Sequence, residues 1–196
     1  MTAVARTRPR HDATTALWLG AGLALASLAR AALNGHSGVN AFAAGAIFGA
    51  ALVGMAVVGG WRPARPGIAS PVAGLLGGLV LVALPRIMDP LMPAVIGMRP
   101  EPLAGWVVVT AVVVAGEEAL LRGALFGAVD RSAGPVAAVA VTSLAFALMH
   151  VPLYGWQVVP LDLGVGVWLA GLQLATGGVL APALAHGIAD FSTWWI

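Results

Sequence analysis

The fold is decided by residues 103–129, which read LAGWVVVTAVVVAGEEALLRGALFGAV. This stretch is almost wholly apolar and exceeds the roughly 20 residues that a membrane-spanning helix needs. Three ionisable residues interrupt it, namely Glu117, Glu118 and Arg122. A charged side chain at the centre of a bilayer costs roughly 2.5–3.5 kcal/mol on insertion scales, so such residues are rare without a function. Their clustering therefore predicts a site of chemistry inside a membrane.

The composition of the whole chain agrees with a membrane location. The chain is 60% hydrophobic and only 9% charged, whereas a soluble domain contains about 25% charged residues. We therefore predict an all-α fold, a single integral membrane domain over residues 1–196 that contacts membrane lipid. The chain has no cysteine, which excludes disulfides, thiolate metal sites and a cysteine nucleophile. The net charge of +2, without a basic patch, gives no indication of nucleic-acid binding.

Proline- and glycine-rich joints divide the chain into about seven apolar stretches, each of which predicts a spanning helix. The predicted spans are 14–33, 39–60, 67–88, 103–129, 134–152, 156–175 and 178–196. The first could be a signal peptide because arginines precede it. We favour a retained helix, since the stretch is long enough to span and further spans follow.

The positions of the arginines predict the orientation of the bundle, because cytoplasmic loops of membrane proteins are enriched in positive charge. If the spans alternate in direction, most arginines fall on one side, and only Arg86 and Arg99 fall on the other. We therefore predict a multi-pass protein of the cell membrane, with residues 1–12 as a cytoplasmic tail. The arginines on the predicted cytoplasmic side are Arg6, Arg8, Arg10, Arg62, Arg65 and Arg131.

The two adjacent glutamates of the fourth span point in different directions, because successive helical residues are about 100° apart, at 3.6 residues per turn. Glu118 and Arg122 have the i, i+4 spacing that favours an ion pair. Glu117 has no partner within its own helix, and a carboxylate in apolar surroundings is a stronger base than one in water. We therefore assign Glu117 to catalysis and the pair to its support. A purely structural role for all three is the alternative.

Two later spans also carry ionisable residues. Phe146 and His150 are four positions apart, as are His186 and Asp190, so each pair shares one helix face. The second pair suits an imidazole oriented by a carboxylate, two groups at one oxyanion, or two metal ligands. At about 1.5 Å per residue, the four polar side chains lie roughly 12–24 Å from the cytoplasmic ends of their spans, and they can therefore converge. A single isolated histidine such as His150 would more simply be a hydrogen-bonded residue at the membrane interface.

The ordered set Glu-Glu-x-x-x-Arg, Phe-x-x-x-His and His-x-x-x-Asp on successive spans resembles the CPBP family. This family, also called Abi, comprises type II CAAX prenyl proteases and bacteriocin-processing or immunity proteins. The resemblance covers residues 103–196, which we expect to form the catalytic core, and it implies intramembrane hydrolysis of a peptide bond. It further implies that Glu117 and His150 activate a water molecule, and that His186 and Asp190 stabilise the oxyanion.

One residue departs from the family pattern, since Asn is commoner where Asp190 stands. An ionised Asp offers only acceptors, so Asp190 is protonated, orients His186 or helps to hold a metal. No metal is required if a glutamate activates the water. Zinc stays open as a cofactor, with Glu117, His150 and His186 as the ligands. The resemblance implies a peptide or protein substrate, with a lipidated one open.

Two other functions are compatible with these residues. The first is a non-catalytic membrane chaperone or bacteriocin-immunity scaffold, and the second is a proton-coupled transporter, since intramembrane acids and histidines also form proton relays. Two further charged residues lie in apolar stretches. Asp162 and Arg30 either lie near the membrane interface or line the cavity of the site; we favour the interface for Asp162, and the sequence gives no position for Arg30.

Overall fold

The computed structural model describes residues 9–34, 38–88 and 103–194. These residues form seven helices and no strand, which confirms the predicted all-α class. A short 3₁₀ turn, Trp156–Val158, joins the fifth helix to the sixth. The helices are α1 Pro9–Leu33, α2 Gly38–Val58, α3 Ala69–Met88, α4 Leu103–Ala133, α5 Pro135–Tyr154, α6 Val159–Thr176 and α7 Leu180–Ser192.

Five of the seven helices are long and apolar enough to cross a membrane, namely α1, α2, α4, α5 and α6. Helix α3 has a shorter apolar stretch, Ala69–Ala83, and α7 has 13 residues. Large apolar side chains are exposed on the outside of the bundle, as lipid-facing positions require; Leu17, Leu25 and Ile47 are examples. The chain is therefore a polytopic helical bundle, as predicted.

The helix boundaries follow the glycine and proline joints. Helices α4, α5 and α6 are followed by Gly134, Gly155 and Gly177, whose φ angles of 86°, 85° and 70° are readily adopted only by glycine. Helix α1 begins at Pro9 rather than at residue 14, so the last part of the predicted tail is helical. The predicted tail residues 1–8, the arginine at 99 and the side chain of Arg86 lie outside the described residues.

A close crossing of α2 and α4 fixes the position of the two glutamates. A Cβ atom on Gly116 would lie 2.4 Å from the backbone oxygen of Gly49, and one on Gly49 would lie 2.6 Å from the backbone oxygen of Val112. Only glycine allows the two backbones to approach this closely. Glu117 follows directly after this crossing point, so its backbone is held against α2.

Helix α4 changes its winding directly after the glutamates. Residues Ala119–Leu125 form a π-helical segment, and the Phe126 amide donates to the carbonyl of Leu121, five residues earlier. π-helical segments are rare and occur frequently at functional sites. This segment contains Arg122 and Gly123. Gly123 packs against the ring of Trp61, and a Cβ atom added to Gly123 would lie only 2.4 Å from Cδ1 of Trp61. The sequence pattern had not indicated this segment.

Candidate active site

A cavity of about 800 Å³ lies inside the bundle, and its walls come from every helix except α3. All four residues that the sequence analysis predicted to be catalytic line it, namely Glu117, His150, His186 and Asp190. Phe146 also lines the cavity, whereas Glu118 and Arg122 are not among its lining residues. The tertiary structure thus brings side chains from three separate helices to one cavity. The ion pair of Glu118 and Arg122 lies outside the layer of residues that line it.

Glu117 is 1% exposed and stands between two basic groups. Its Oε1 atom lies 3.7 Å from Nη1 of Arg30, and its Oε2 atom lies 3.7 Å from Nε2 of His186. Neither contact is short enough for a hydrogen bond. Glu117 has no partner within its own helix, as the sequence indicated. Arg30 of α1 and His186 of α7 each place a basic group near it. All three residues line the cavity.

His186 is oriented by the ion pair of Glu118 and Arg122 in α4, on the side of its ring away from Glu117. Its Nδ1 atom lies 2.9 Å from Oε1 of Glu118, and the same oxygen accepts a hydrogen bond of 3.0 Å from Nη1 of Arg122. Because the carboxylate is an acceptor, Nδ1 of His186 carries the proton. The other nitrogen, Nε2, then faces Glu117 and also Asp190, whose Oδ1 lies 3.6 Å away. The expected pair of Glu118 and Arg122 is present, and it orients the imidazole.

Arg122 is fully buried, and its remaining contacts explain why the charge is tolerated. Nη2 donates to the backbone oxygen of Gly166 at 3.3 Å, and the guanidinium lies 4.9 Å above the ring of Phe146. Residue 166 must be glycine for its helix to lie this close to α5, because a Cβ atom added there would lie 2.8 Å from Cα of Ser143. Charge pairing, a carbonyl and an aromatic face replace part of the hydration that Arg122 loses on burial, while its Nε atom has no hydrogen-bond partner among the described residues.

Phe146 separates and positions the two imidazoles. Its ring makes edge contacts with His150 at 4.8 Å and with His186 at 5.3 Å between centroids. Edge-to-face contacts of this kind fix ring orientation as well as distance. Phe146 therefore does more than wall off the cavity, because it holds both rings and the arginine behind them.

His150 is oriented by acceptors in the same way as His186. Its Nδ1 atom lies 3.0 Å from the backbone oxygen of Phe146 and 3.1 Å from Oδ2 of Asp162. Both partners are acceptors, so Nδ1 carries the proton and Nε2 is left available to a water or a substrate. Of the two positions considered for Asp162, the structure shows the cavity wall, since the residue lies in the first turn of α6 and contacts His150. An acidic residue within the apolar sixth span was the available signal.

Arg30 is the site residue that the sequence did not place. It lines the cavity near the end of α1, with its guanidinium 4.8 Å above the ring of Phe48 and Nη1 near Glu117. The signal in the sequence was a single arginine inside an apolar stretch. Nothing in the spacing along the chain could show that α1 lies beside α4, so its partner was not predictable.

Zinc is the metal that the sequence left open, with Glu117, His150 and His186 as its ligands. The described residues include no group of three or more His, Cys, Asp or Glu side chains placed to hold a metal ion. Nδ1 of each imidazole is engaged by an oxygen acceptor, which leaves one nitrogen on each ring. One free nitrogen on each ring is what a histidine ligand to zinc uses, so zinc held by Glu117, His150 and His186 stays a prediction.

A second, smaller cavity of about 270 Å³ lies towards the other end of the bundle. Trp61, Arg65 and Ser70 line it, and so does Glu118. The Oε2 atom of Glu118 is buried without a hydrogen-bond partner among the described residues, while its Oε1 atom binds Arg122 and His186. Glu118 thus stands between the two cavities and belongs to the supporting structure of the larger one.

The comparison with known families agrees with this geometry. Residues 99–192 match the family model described as Type II CAAX prenyl endopeptidase Rce1-like. The chain carries an Rce1-like domain. That domain includes both halves of the site, from Glu117 in α4 to Asp190 in α7, and it confirms the resemblance inferred from the sequence motifs. No curated protein and no solved structure matches the chain.

The match to this family model supports an intramembrane endopeptidase that acts on a peptide or protein substrate. The apolar helices agree with a membrane protein of this kind. Helices α1 and α2 lie outside the Rce1-like domain, yet each contributes cavity residues, such as Arg30 and Phe42. The site of this chain is therefore built from the domain together with two helices that precede it.

Proposed function

We propose that this chain hydrolyses a peptide bond within the membrane, with a water molecule activated by Glu117. The observation that carries the proposal is the approach of the Glu117 carboxylate to Nε2 of His186, at 3.7 Å, on the wall of a large cavity. A buried carboxylate beside an imidazole is the arrangement that general acid–base catalysis requires. The family of the domain supports the same class of reaction.

Glu117 acts first as the base. It removes a proton from water, and the oxygen of that water forms a bond to the carbonyl carbon of the substrate while the carbonyl electrons move to oxygen. When the tetrahedral intermediate collapses, the carbon–nitrogen bond breaks. Glu117 then returns the proton to the leaving nitrogen, so the carboxylate is regenerated and one water is consumed for each bond cleaved.

The two histidines have different tasks in this proposal. His150 has its Nε2 lone pair available while Asp162 and a carbonyl hold Nδ1, so it accepts a hydrogen bond from the attacking water. His186 has Nδ1 fixed on Glu118, and with a proton on Nε2 it donates to the oxyanion. Preorganised donors of this kind stabilise the negative charge that develops in the transition state.

Asp190 positions His186 in this scheme. Its carboxylate lies 3.6 Å from Nε2 of His186 and, when ionised, has no proton to give to an oxyanion. Arg30 places a positive charge beside Glu117, which stabilises the ionised base before the water binds. No step of this scheme requires a metal.

The substrate class follows from the shape and lining of the cavity. Its volume lies within the range of about 300–1,000 Å³ that is usual for ligand sites. Apolar residues such as Phe42, Val109 and Val113 line most of it, so an extended apolar segment of a peptide fits this site. A lipid chain on the substrate would meet the same surface, and we propose that lipidation is tolerated.

The decisive experiment compares Glu117→Gln with the wild type in detergent micelles. The probe is a fluorogenic farnesylated peptide that ends in a Cys-aliphatic-aliphatic-X sequence. Losing a general base lowers activity by roughly 10²–10⁴-fold, and we expect a loss of this size. Asp130→Asn, an exposed acid of the same helix, is the control and should keep wild-type activity. Cleavage by Glu117→Gln at the wild-type rate would overturn the proposal.

A second arm tests the metal. We expect wild-type cleavage to continue after treatment with a zinc chelator and dialysis. Loss of activity that added zinc restores would replace the glutamate mechanism by a metal-dependent one, with Glu117, His150 and His186 as the ligands.

A further inference from the structure

The second cavity, of about 270 Å³, has a buried carboxylate oxygen in its wall. Glu118 lines this cavity and is 1% exposed. Its Oε1 atom binds both Arg122 and His186, whereas its Oε2 atom has no hydrogen-bond partner among the described residues. Leaving a buried acceptor unsatisfied is costly, and more so when the acceptor is charged. Oε2 is therefore available to a hydrogen-bond donor that enters the second cavity.

Two hydroxyl groups belong to the lining of the same cavity. Thr176 donates its proton to the carbonyl of Leu172 at 2.8 Å, so the lone pairs of its Oγ1 atom stay available as acceptors. Ser70 is 2% exposed, and its hydroxyl oxygen also has acceptor lone pairs. A primary ammonium carries several N–H donors and no acceptor. It is therefore the donor group that matches a cavity lined by a carboxylate and two hydroxyls.

The second cavity also has a positive charge in its lining. Arg65 lines it and is exposed. A guanidinium presents its donors in a fork that matches the oxygens of a phosphate. Much of the remaining lining is apolar, with Pro66, Val179 and Leu180 as examples. A ligand that fits these residues carries an ammonium, a phosphate and an apolar part, and its two charges cancel beside the buried ion pair.

The position of the second cavity in the bundle matches the level of lipid headgroups. Its walls include the connection from α2 to α3 and the turn between α6 and α7, where helices end. Trp61 lines it, and tryptophan is enriched at the interface between membrane and water. Trp61 packs against Gly123, five positions after Glu118, so the two levels differ by at most about 7.5 Å. An ammonium on a short carbon link therefore reaches Glu118 from a phosphate at the level of Trp61.

We propose that the second cavity binds the headgroup of an ethanolamine phospholipid, with the ammonium on Oε2 of Glu118 and the phosphate on Arg65. The acyl chains stay in the surrounding bilayer. This site is separate from the catalytic cavity and does not rest on the proposed function. Because Glu118 also binds His186, the bound lipid completes the hydrogen bonding of a residue that supports the larger cavity.

The test compares two lipids that differ only in the ammonium. The full chain in detergent is titrated with phosphatidylethanolamine or with phosphatidylcholine of the same acyl chains, and bound lipid is counted by native mass spectrometry. Both lipids have the phosphate, but the quaternary ammonium of choline has no N–H to donate. We expect one phosphatidylethanolamine to bind more tightly than phosphatidylcholine by on the order of tenfold or more, as a hydrogen bond between charged groups provides. Equal affinities would overturn the proposal.

Two variants locate the lipid in the second cavity. In Glu118→Gln the amide oxygen is drawn to the donors of Arg122 and His186, so the amide NH₂ faces the cavity and the preference between the lipids should fall to within about twofold. Ala115→Leu places a larger side chain at an exposed position of the cavity wall, without changing the ion pair, and should also remove the preference. Ala111→Leu is the matched control, because Ala111 is exposed one turn earlier on α4 and lines neither cavity. A wild-type preference in either Glu118→Gln or Ala115→Leu would overturn the site.

Two further measurements test the phosphate and the source of the headgroup. Arg65→Met should weaken the binding of both lipids alike, while the lipid-free protein keeps its stability because Arg65 is exposed. Unchanged binding of both lipids would contradict the contact of Arg65 with the phosphate. Free phosphoethanolamine, which has no acyl chains, should displace the lipid only in large excess. Displacement at an equal concentration would show that the cavity takes the free compound rather than the lipid.

Discussion

Nδ1 of His186 lies 2.9 Å from Oε1 of Glu118, although the two residues are 68 positions apart. This hydrogen bond connects α7 to α4 and is buried on both sides. It fixes which nitrogen of His186 faces the cavity, in the way that the aspartate of a catalytic triad fixes its histidine. Glu118 is therefore a positioning residue, and the ion pair with Arg122 keeps the Glu118 side chain in place.

Arg122→Met should destabilise the protein strongly. The substitution leaves Glu118 buried with only His186 as a partner, and breaking a buried ion pair costs about 3–5 kcal/mol. The measurement is the free energy of unfolding in mixed micelles. Arg65→Met is the matched control, because Arg65 is exposed and a surface substitution of this kind should change stability by less than about 0.5 kcal/mol.

A double variant separates stability from catalysis at the same position. In Glu118→Gln/Arg122→Met neither charge is buried alone, so we expect part of the lost stability to return. Activity should stay low, because a neutral amide orients His186 less firmly than a carboxylate. Recovery of full activity by the double variant would contradict the positioning role of Glu118.

Asp190→Asn should retain activity within about tenfold of the wild type, which corresponds to about 1.4 kcal/mol. The Asp190 side chain is 40% exposed, and an amide of the same shape can still contact Nε2 of His186. Asp190→Leu removes the contact and should lower the turnover number more than Asp190→Asn does. Equal activities for the two variants would show that residue 190 has no part in orienting His186.

Arg30→Gln should lower kcat/KM by on the order of tenfold, which corresponds to about 1.4 kcal/mol. The positive charge lies 3.7 Å from Glu117 and favours its ionised form, which is the form that accepts the proton. Arg30→Lys keeps the charge and should lose less activity than Arg30→Gln. A change of less than twofold for Arg30→Gln would show that the charge does not act on Glu117.

Gly116→Ala should lower both stability and activity. The added Cβ would lie 2.4 Å from the backbone oxygen of Gly49, which cannot move aside as a flexible side chain can. Overpacking of this kind costs typically about 1–3 kcal/mol, and it displaces the neighbouring Glu117. Thermal unfolding and cleavage of the farnesylated probe are the two measurements.

Gly54→Ala in α2 is the control for this prediction. A Cβ at Gly54 meets no atom within 4 Å, so the substitution introduces no contact. Alanine also favours a helix over glycine by about 1 kcal/mol. We therefore expect unchanged activity and equal or higher stability. A similar loss in both variants would indicate a general effect of alanine rather than the close crossing of α2 and α4.

Much of the site could be predicted because its motifs lie on helices that the sequence already defined. The spacing of Glu118 and Arg122 fixes an i, i+4 pair within one helix, and the pair is present. The contact of Asp162 with His150 and that of Arg30 with Glu117 could not be predicted. Both join different helices, and helical periodicity gives the direction of a side chain relative to its own axis but not the neighbouring helix.

The sequence by itself determined that the chain is a helical membrane bundle, since so few polar residues leave no other way to satisfy the backbone in lipid. It also determined which residues carry ionisable groups and which of these share a helix face. The tertiary structure decided that Glu117 faces the cavity while Glu118 supports His186, and that Arg30 and Asp162 belong to the site. These relationships depend on where helices cross. Close glycine contacts, such as that of Gly49 with Gly116, set the crossings. Such contacts join residues that are far apart along the chain, so the local spacing of residues does not encode them.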